Sequence, residues 1–455
     1  MRANVKLFAG VWAVLVAAAC SSSPSNNGFE TSSSSGGGSG GSGGSSGGSS
    51  GGSSSGNNID GSIIGSSGSG SSSGGTVNCN VTNMNADMDK DGWTPAQGDC
   101  NDCDPNVNPG AIDVLHQVDG GTPFWGNEDC SGMPGDNAKP CDTGLMLTDV
   151  VAGDAAKAME LCATATMTDK KYGVLSANYV HVDGTPFATP GLQVGLQATF
   201  GTNVKPQGGQ TLFAMSSGAA RTIGQTGACG SISCKIGTVA STAPTGFPQD
   251  DPTCPKTPSI WDDIALELQI RVPTNATGYS FNFKFYSFEF PDWVCDQSGY
   301  NDQFVALVNP PPMGAYVPTG SMFGNISFDS NNHPVSVNMG FFDCCDPSSP
   351  NRFAVKCRGT TGATCPSTPS PYCPLGLSDL AGTGFDVWHN TTGYGPPGAT
   401  RWLKTQAPVK PGSIITVRFA MWDAGNGEYD STTLVDNFQW IANGGTIAVG
   451  TQPAQ

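Results

Sequence analysis

The sequence is poor in charged residues and in the residues on which common catalytic motifs depend. Only 13% of its 455 residues are charged, and it contains 4 histidines. None of them lies in a His-Glu-x-x-His pattern, and no Gly-Lys-Ser/Thr loop is present to hold a phosphate. These absences argue against a zinc protease of that type and a P-loop nucleotide hydrolase. We predict that the protein is not an enzyme.

Basic residues are scarcer than acidic ones. The chain has 20 lysines and arginines against 37 aspartates and glutamates, for a net charge of −17. Nucleic-acid binding needs a basic face, so no nucleic-acid partner is expected. Direct electrostatic binding to anionic lipids is disfavoured for the same reason. Cations are the natural partners of such a chain.

Long apolar runs are also rare. One run, Leu7–Ala19, has 13 residues and follows a basic start, but a membrane-spanning helix needs about twenty. The small residues before Cys20 resemble a bacterial lipoprotein signal. The resemblance implies a signal peptide over 1–19, a lipid on Cys20, and a lipid-anchored protein of the outer membrane or cell surface. The alternative is ordinary Ala-x-Ala cleavage, which would leave Cys20 as a spare thiol.

The region after Cys20 is almost entirely serine and glycine. Such a composition buries no apolar surface, so residues 20–76 are predicted to be a disordered linker. With ~56 residues, its root-mean-square reach is roughly 40 Å. We expect it to hold a folded region away from the membrane.

Glycine, proline and cysteine are abundant. The 63 glycines and 33 prolines indicate a loop-rich β protein. Of the 16 cysteines, 15 remain once Cys20 is assigned to lipid. Export makes disulfides the default for these residues. Cys229 and Cys234 could close a short loop, and the adjacent Cys344 and Cys345 are expected to bridge to two different partners.

An acidic, cysteine-containing segment at 77–145 carries the clearest chemical pattern. Asp87-Met-Asp89-Lys-Asp91-Gly92-Trp93 places carboxylates at positions one, three and five and glycine at six, as in the first half of an EF-hand loop. Position twelve is Gly98 rather than glutamate, so further ligands must follow it. The predicted ligands of a structural Ca²⁺ are Asp87, Asp89, Asp91, the carbonyl of Trp93, Asp99, Asn101, Asp102 and Asp104. The alternative is a disordered cluster of acidic turns.

Two resemblances accompany these residues. The segment from Asp87 through Gly98-Asp-Cys-Asn-Asp-Cys-Asp-Pro to Asn127-Glu-Asp-Cys-Ser-Gly132 resembles a metal-binding motif of bacterial surface proteins, and the aspartate-rich repeats of thrombospondins. The resemblance implies calcium-stabilised loops with little regular structure. Within this motif, Cys100-Asn-Asp-Cys103 suits a disulfide staple better than a redox or zinc site, because an acidic loop would raise thiol pKa values.

Residues 146–450 are predicted to form a mainly-β domain. A helix is expected after Thr148-Asp149 as caps, with Val150 to Cys162 contributing its apolar side. Alternating residues then predict strands over Ile264–Val272, Ser280–Phe290, Ile415–Met421 and Leu434–Ile441, with a β-bulge near Tyr286-Ser287. We predict a jelly-roll-like β-sandwich with one N-terminal helix, preceded by the small irregular calcium- and disulfide-stabilised segment.

This region also resembles a known family. Asp154-Ala-Ala-Lys-Ala158, Asn301-Asp-Gln-Phe-Val-Ala-Leu307, Trp422-Asp423 and Val435-Asp-Asn-Phe438 are similar to the choice-of-anchor L domain. The resemblance implies a surface module with no established activity, and it supports location and fold rather than a reaction.

Three further groups of residues are weaker candidates. Asp423, Asp430, Asp436 and Asn437 could form a second metal site around a predicted hairpin, although turn chemistry explains them slightly better. Glu289 and Asp292 could mimic a glycosidase pair, but Glu289 is expected to face solvent. Aromatic residues in polar loops could stack on sugars, although they more often cap a sandwich: Trp293, Tyr300, Trp388, Tyr394 and Trp402.

Together these features predict a bacterial surface lipoprotein with structural calcium that serves adhesion or ligand binding. Its partners would be the membrane, through the lipid, and a carbohydrate or surface protein. The alternatives are an exported hydrolase that acts on polysaccharide and a purely architectural envelope protein.

Overall fold

The structure is a computed structural model, and it describes residues 81–234, 239–248, 254, 259–290, 293–294, 298–329, 333–338, 341–345, 373, 375–388, 397–442 and 445–454. The predicted signal peptide, Cys20, the Ser/Gly linker, Asp292 and Tyr394 lie outside these residues. Within them, no helix has both the length and the apolar character that a membrane crossing requires.

The described residues form two short helices and a series of strands. The helices are α1 (Ala152–Lys157) and α2 (Leu377–Leu380). The strands are β1 Leu115–His116, β2 Phe124–Trp125, β3 Gly173–Val180, β4 Val194–Gln197, β5 Leu212–Ser216, β6 Ala240–Ser241, β7 Ile260–Arg271, β8 Ala276–Ser287, β9 Gln303–Asn309, β10 Gly324–Asn325, β11 Val335–Ser336, β12 Phe342–Cys344, β13 Gly398–Thr400, β14 Leu403–Pro408, β15 Ile414–Ala424, β16 Ser431–Ala442 and β17 Gly450–Pro453.

The strands from β3 onward make two large antiparallel sheets. The first has the order β10-β9-β15-β7-β3, with β11 on β9 and β6 on β7. The second has the order β12-β13-β8-β16-β5-β4, with β14 beside β8 and β17 beside β14. The prediction of a mainly-β, sandwich-like fold with few helices is therefore confirmed.

The core lies between the two sheets and is rich in phenylalanine. Phe281 of β8 meets Phe419 of β15 edge-on at 4.9 Å between ring centroids, and Phe283 meets Phe304 of β9 at 4.8 Å. All four rings are fully buried. Aromatic pairs of this kind each contribute about 0.5–1.5 kcal/mol beyond the burial of their surface.

Two predictions about β8 and the residues just after it are wrong. The pairing of β8 with β16 is regular through Tyr286 and Ser287, so the bulge predicted there is wrong. The pairing is irregular instead at Asp436–Gln439 and at Ile441–Ala442 of β16. Glu289 follows the end of the strand and is 1% exposed, so the expectation that it faces solvent is also wrong. Glu289 Oε2 accepts the Asp302 amide at 3.3 Å, just before β9. A second apolar cluster, which includes Leu380 and Phe385, covers the neighbouring Tyr286 and Phe288.

Two predictions about connections also needed correction. Helix α1 begins after Val151, which provides no side-chain cap, so Thr148 and Asp149 do not cap it. Strand β15 pairs with β7 and β9 in the first sheet. Strand β16 pairs with β5 and β8 in the second sheet. The loop between them therefore crosses from one sheet to the other and is not a hairpin.

The acidic segment is irregular, and disulfides and hydrogen bonds attach it to the sandwich. Cys100 pairs with Cys130, and Cys141 pairs with Cys162 just after α1. Asn275, at the turn between β7 and β8, donates to the carbonyl of Ile112 and accepts from its amide, at 2.8 and 3.0 Å. The predicted loop at Cys229–Cys234 is closed by a disulfide, and Cys345 pairs with Cys373.

Candidate metal centre

The turn from Asp87 to Trp93 is shaped by its first aspartate. Asp87 Oδ1 accepts the Lys90 amide at 2.6 Å, and its Oδ2 accepts the Gly92 amide at 3.0 Å. Gly92 has a φ of +96°, a conformation that side-chain-bearing residues rarely adopt. Glycine at position six of the loop is thus required by the backbone, as the sequence pattern predicts.

Asp89, Asp91 and Asp99 use their two carboxylate oxygens in the same way. Oδ1 accepts a backbone amide two residues further along: Asp91 N for Asp89 at 3.2 Å, Trp93 N for Asp91 at 2.7 Å, and Asn101 N for Asp99 at 2.8 Å. The Oδ2 of each is buried and has no donor at normal hydrogen-bonding distance; the Asn108 side chain lies beside the Asp91 carboxylate and lowers its pKa. Burial of an unpaired carboxylate oxygen is costly unless a cation or proton satisfies it.

These carboxylates converge on one another. Oxygens of Asp87, Asp89 and Asp91 lie within 4.8 Å of each other, and so do oxygens of Asp89, Asp99 and Asp102. Asp89 belongs to both groups, which makes it the centre of the site. Asp102 Oδ1 also accepts the Met88 amide at 2.9 Å, which joins the two halves of the loop.

The electrostatics of the cluster are unfavourable without a cation. Burial raises the pKa of Asp89 to about 6, and the neighbouring Asp91 carboxylate adds to the rise. Burial also raises the pKa of Asp91 and Asp99. The donor set consists of oxygen atoms alone, which suits a hard cation such as Ca²⁺.

The other predicted ligands lie nearby in different roles. Asp104 Oδ1 accepts the amide and the side-chain nitrogen of Asn106, and the Asn101 carbonyl accepts the Asp104 amide. Asp104 is not among the grouped carboxylates. Trp93 is buried, and Lys170 Nζ lies 5.4 Å from its ring while donating to the Gly92 carbonyl at 2.7 Å. This contact anchors the turn to the sandwich.

A further acidic group in the same segment was not predicted. Oxygens of Asp113, Asp129 and Asp136 also lie within 4.8 Å of one another. Asp113, however, already accepts the Asp129 amide with Oδ1 and the Gly135 amide with Oδ2. This group is therefore better satisfied by the protein than the Asp87–Asp102 group.

Asp423 and Asp430, which were predicted for a second metal site, are buried near two acids that were not predicted for it. Asp302 is an acidic neighbour of both Asp423 and Asp430, and Glu289 is a further neighbour of Asp423. Neither carboxylate oxygen of Asp423 has a donor at normal hydrogen-bonding distance. The Ser217 side chain lies beside it and lowers its pKa, but burial, followed by Asp302, raises that pKa well above the usual range. Asp302 accepts the Ala424 amide and the Ser431 hydroxyl. Asp302 and Glu289 are far from Asp423 in sequence, so only the fold reveals them.

The other two predicted residues lie in a different environment. Asp436 and Asn437 are on β16 at its pairing irregularity, where both contact Glu160. The four residues predicted for one second site are thus divided between two acidic clusters.

Among the predicted aromatic residues, Trp293 and Tyr300 pack against each other, and Trp293 stacks on Tyr429 at 5.9 Å. More exposed rings lie in the acidic segment, where Phe124 is 55% and Trp125 40% exposed. Trp125 lines a cavity of about 610 Å³, together with Tyr172 and Trp440.

A scan of the chain against protein-family models found no match, and a search of curated proteins found none either. The resemblances to the metal-binding motif and to the choice-of-anchor L domain therefore remain predictions.

Proposed function

We propose that this protein is a lipid-anchored bacterial surface protein in which calcium holds the Asp87–Asp102 loops in place. One observation carries the metal assignment: the buried Oδ2 atoms of Asp89, Asp91 and Asp99 have no donor at normal hydrogen-bonding distance. A cation at their centre would satisfy all three at once, and no protein group does so among the described residues.

Several features favour calcium in a structural role. The oxygen donors suit Ca²⁺ rather than zinc, and Cys100, Cys103 and Cys130 are all in disulfides and offer no thiolate. A sensor EF-hand responds through an exit helix that moves. Here the short 3₁₀ turn Pro95–Gln97 follows the first half of the loop instead, and the Cys100–Cys130 disulfide fixes the second half.

The calcium proposal is tested by thermal unfolding of the full chain with and without chelator. We expect chelation to lower the melting temperature by several degrees. Asp89→Ala should lower it similarly in calcium and should reduce the further effect of chelation. Asp119→Ala, an exposed aspartate of the same segment, is the matched control and should behave as wild type. Unchanged melting on chelation together with unchanged melting of Asp89→Ala would refute the proposal.

We also propose that the protein binds a ligand at the envelope, either a carbohydrate or another surface protein. The exposed rings of Phe124 and Trp125 beside a large cavity support binding, because aromatic faces stack on sugars and also anchor protein interfaces. A glycan array probed with the full chain tests for carbohydrate binding. We expect Trp125→Ala to lose the binding signal on the array. Retention of an array signal by this variant would place the binding surface elsewhere.

Hydrolysis of polysaccharide is the rival activity. Glu289, Asp302 and Asp423 supply clustered carboxyl groups, but each is at most 1% exposed, so a polymer has no direct access to them. This burial favours binding over hydrolysis. Release of reducing ends from a glycan, lost in Glu289→Gln, would overturn that choice.

The anchor is tested through Cys20. We expect Cys20→Ser to lose incorporated radiolabelled palmitate and to move to the soluble fraction, because no lipid would then hold the chain. A variant that retains the label would contradict lipidation at this residue.

A further inference from the structure

A lysine and an aspartate are buried together on the outer face of the second sheet. Lys284 belongs to β8 and Asp379 to α2, and these residues are 2% and 3% exposed. Lys284 Nζ lies 3.0 Å from Asp379 Oδ2. The pair joins two elements that are 95 positions apart in the sequence. Neither residue has a part in the functions proposed above.

The surroundings of the pair are mostly apolar. Tyr286, Leu380 and Phe385 belong to the apolar cluster that covers this face of the sheet. Lys284 Nζ lies 5.1 Å from the centre of the Tyr286 ring. Removal of two full charges from water into such surroundings is costly, and their mutual attraction offsets that cost only in part. A reaction that removes both charges is therefore favoured here more than at the surface.

The hydrogen bonds of Lys284 also disfavour its charged form. An ammonium group has three N–H donors. Lys284 Nζ donates to Asp379 Oδ2 and to the Thr400 carbonyl, and the described residues place no third oxygen or nitrogen acceptor beside it. Burial lowers the pKa of Lys284; the Asp379 carboxylate opposes this change, and the Arg401 charge adds to it. The neutral amine, which is the nucleophilic form of lysine, is thus more accessible than in water.

The protons of this pair come from the lysine itself. The Cys373 sulfur lies 3.3 Å from Asp379 Oδ2, but it is bonded to Cys345 and carries no hydrogen to donate. Among the described residues, Lys284 is therefore the one proton donor at that oxygen. A proton that moves along this hydrogen bond converts the ion pair into a neutral amine beside a neutral carboxylic acid.

We propose that Lys284 and Asp379 condense to form an intramolecular isopeptide bond. After the proton transfer, the Nζ lone pair attacks Asp379 Cγ, and a second proton moves from the nitrogen to the leaving oxygen. An N–C bond forms, a C–O bond breaks, and one water molecule leaves. Nothing is oxidised or reduced, and no co-reactant is needed. The fold holds amine and carboxyl group in contact, which replaces the encounter of two separate reactants.

An exposed pair in the same chain provides a comparison. Lys157 Nζ lies 2.8 Å from Asp154 Oδ1, but the two side chains are 44% and 24% exposed. Solvent stabilises both charges at such a site, and an ammonium group has no lone pair with which to attack. We therefore expect Lys157 and Asp154 to remain an ion pair, although their atoms lie slightly closer together than those of the buried pair.

The isopeptide bond would fasten α2 to the second sheet. The Cys345–Cys373 disulfide belongs to the same apolar cluster, but it opens under reducing conditions, whereas an amide bond does not. The cross-link would thus hold α2 on β8 whatever the redox conditions. It depends neither on calcium nor on the lipid, so its test is independent of the function proposed above.

Peptide mapping of the full chain after reduction and alkylation tests the proposal. We expect a cross-linked pair of tryptic peptides containing Lys284 and Asp379, lighter by one water molecule than the two separate peptides. Trypsin should not cleave after Lys284, because its amine is acylated, and should cleave normally after Lys157. Separate peptides with unmodified Lys284 and Asp379 would overturn the proposal. A loss of water at Lys157 and Asp154 as well would also overturn it, because burial would then not select the pair.

Two variants assign the bond to these side chains. Lys284→Arg retains the positive charge but has no amine to acylate, and Asp379→Ala has no carboxyl group, so both should lack the cross-linked peptides. A cross-link that persists in either variant would place the bond elsewhere and refute the assignment. If the variants do not fold, tandem mass spectrometry of the wild-type peptides decides: fragments joined at Lys284 and Asp379 support the proposal, and fragments joined at other residues overturn it.

Discussion

Between residues 81 and 145 the chain forms two strands of two residues each, whereas the sandwich that follows contains strands of up to 12 residues. Few large apolar residues are buried in the first region, while phenylalanines fill the space between the sheets of the second. The first region depends instead on disulfides, aspartate-to-amide hydrogen bonds and converging carboxylates. Two parts of one chain therefore depend on different conditions: the first on oxidation and, under the calcium proposal, on cations, and the second on the hydrophobic effect.

The largest effect should come from the core of the sandwich. Phe283→Ala removes a fully buried ring that packs on Phe304, and we expect it to reduce the free energy of unfolding by about 3–5 kcal/mol. Phe124→Ala, at a 55% exposed ring in the acidic segment, should change it by less than about 0.5 kcal/mol. Urea denaturation measures both. Equal losses of unfolding free energy in the two variants would show that the two regions do not differ in their dependence on buried aromatic residues.

A smaller effect is expected from the disulfide of the acidic segment. Cys100 and Cys130 close a loop with a sequence separation of 30. Replacing both with serine should cost about 2–4 kcal/mol, because the unfolded loop gains freedom. Limited proteolysis should show cleavage within 81–145 while the sandwich stays intact. Simultaneous cleavage of both regions would mean that they unfold as one unit. The acidic segment and the sandwich would then not be stabilised independently.

The smallest effects should come from two glycines with open space around them. A Cβ added to Gly92 in the loop or to Gly153 in α1 would have no neighbouring atom within 4 Å, so only the backbone decides the outcome. Gly92→Ala should destabilise by about 1–2 kcal/mol because its φ is positive. Gly153→Ala should stabilise by about 0.5–1 kcal/mol in the helix. Denaturation curves that shift in the same direction for both variants would contradict the prediction that backbone conformation alone decides the two effects.

Local sequence patterns predicted many features correctly. Strands β7, β15 and β16 follow from the alternation of apolar residues, because a strand places every second side chain on one face. The Asp87–Asp91 turn and Gly92 follow from spacing within five residues. The Cys229–Cys234 disulfide follows from proximity in sequence. Each of these depends on neighbours along the chain.

Other features could not be predicted in this way. The regular pattern Phe281, Phe283, Phe285 indicates a half-buried strand, yet Asn282 and Lys284 on the other face are buried as well. Residues from α2 and Phe385, about a hundred positions away, cover that face. Glu289 is buried against Asp302 and Asp423, which are also distant from it in the sequence or on another strand. A local pattern does not show what distant segment will cover an outer surface of the sheet.

The acidic clusters show this division most clearly. Local spacing is enough to gather the aspartates of the Asp87–Asp102 loops, because short-range turn geometry brings their oxygens together. Distant packing separates Asp423 from Asp436 and brings Glu160 to Asp436. Glu160 and Asp436 are 276 positions apart in the sequence, and they meet only because the residues after α1 pack against β16.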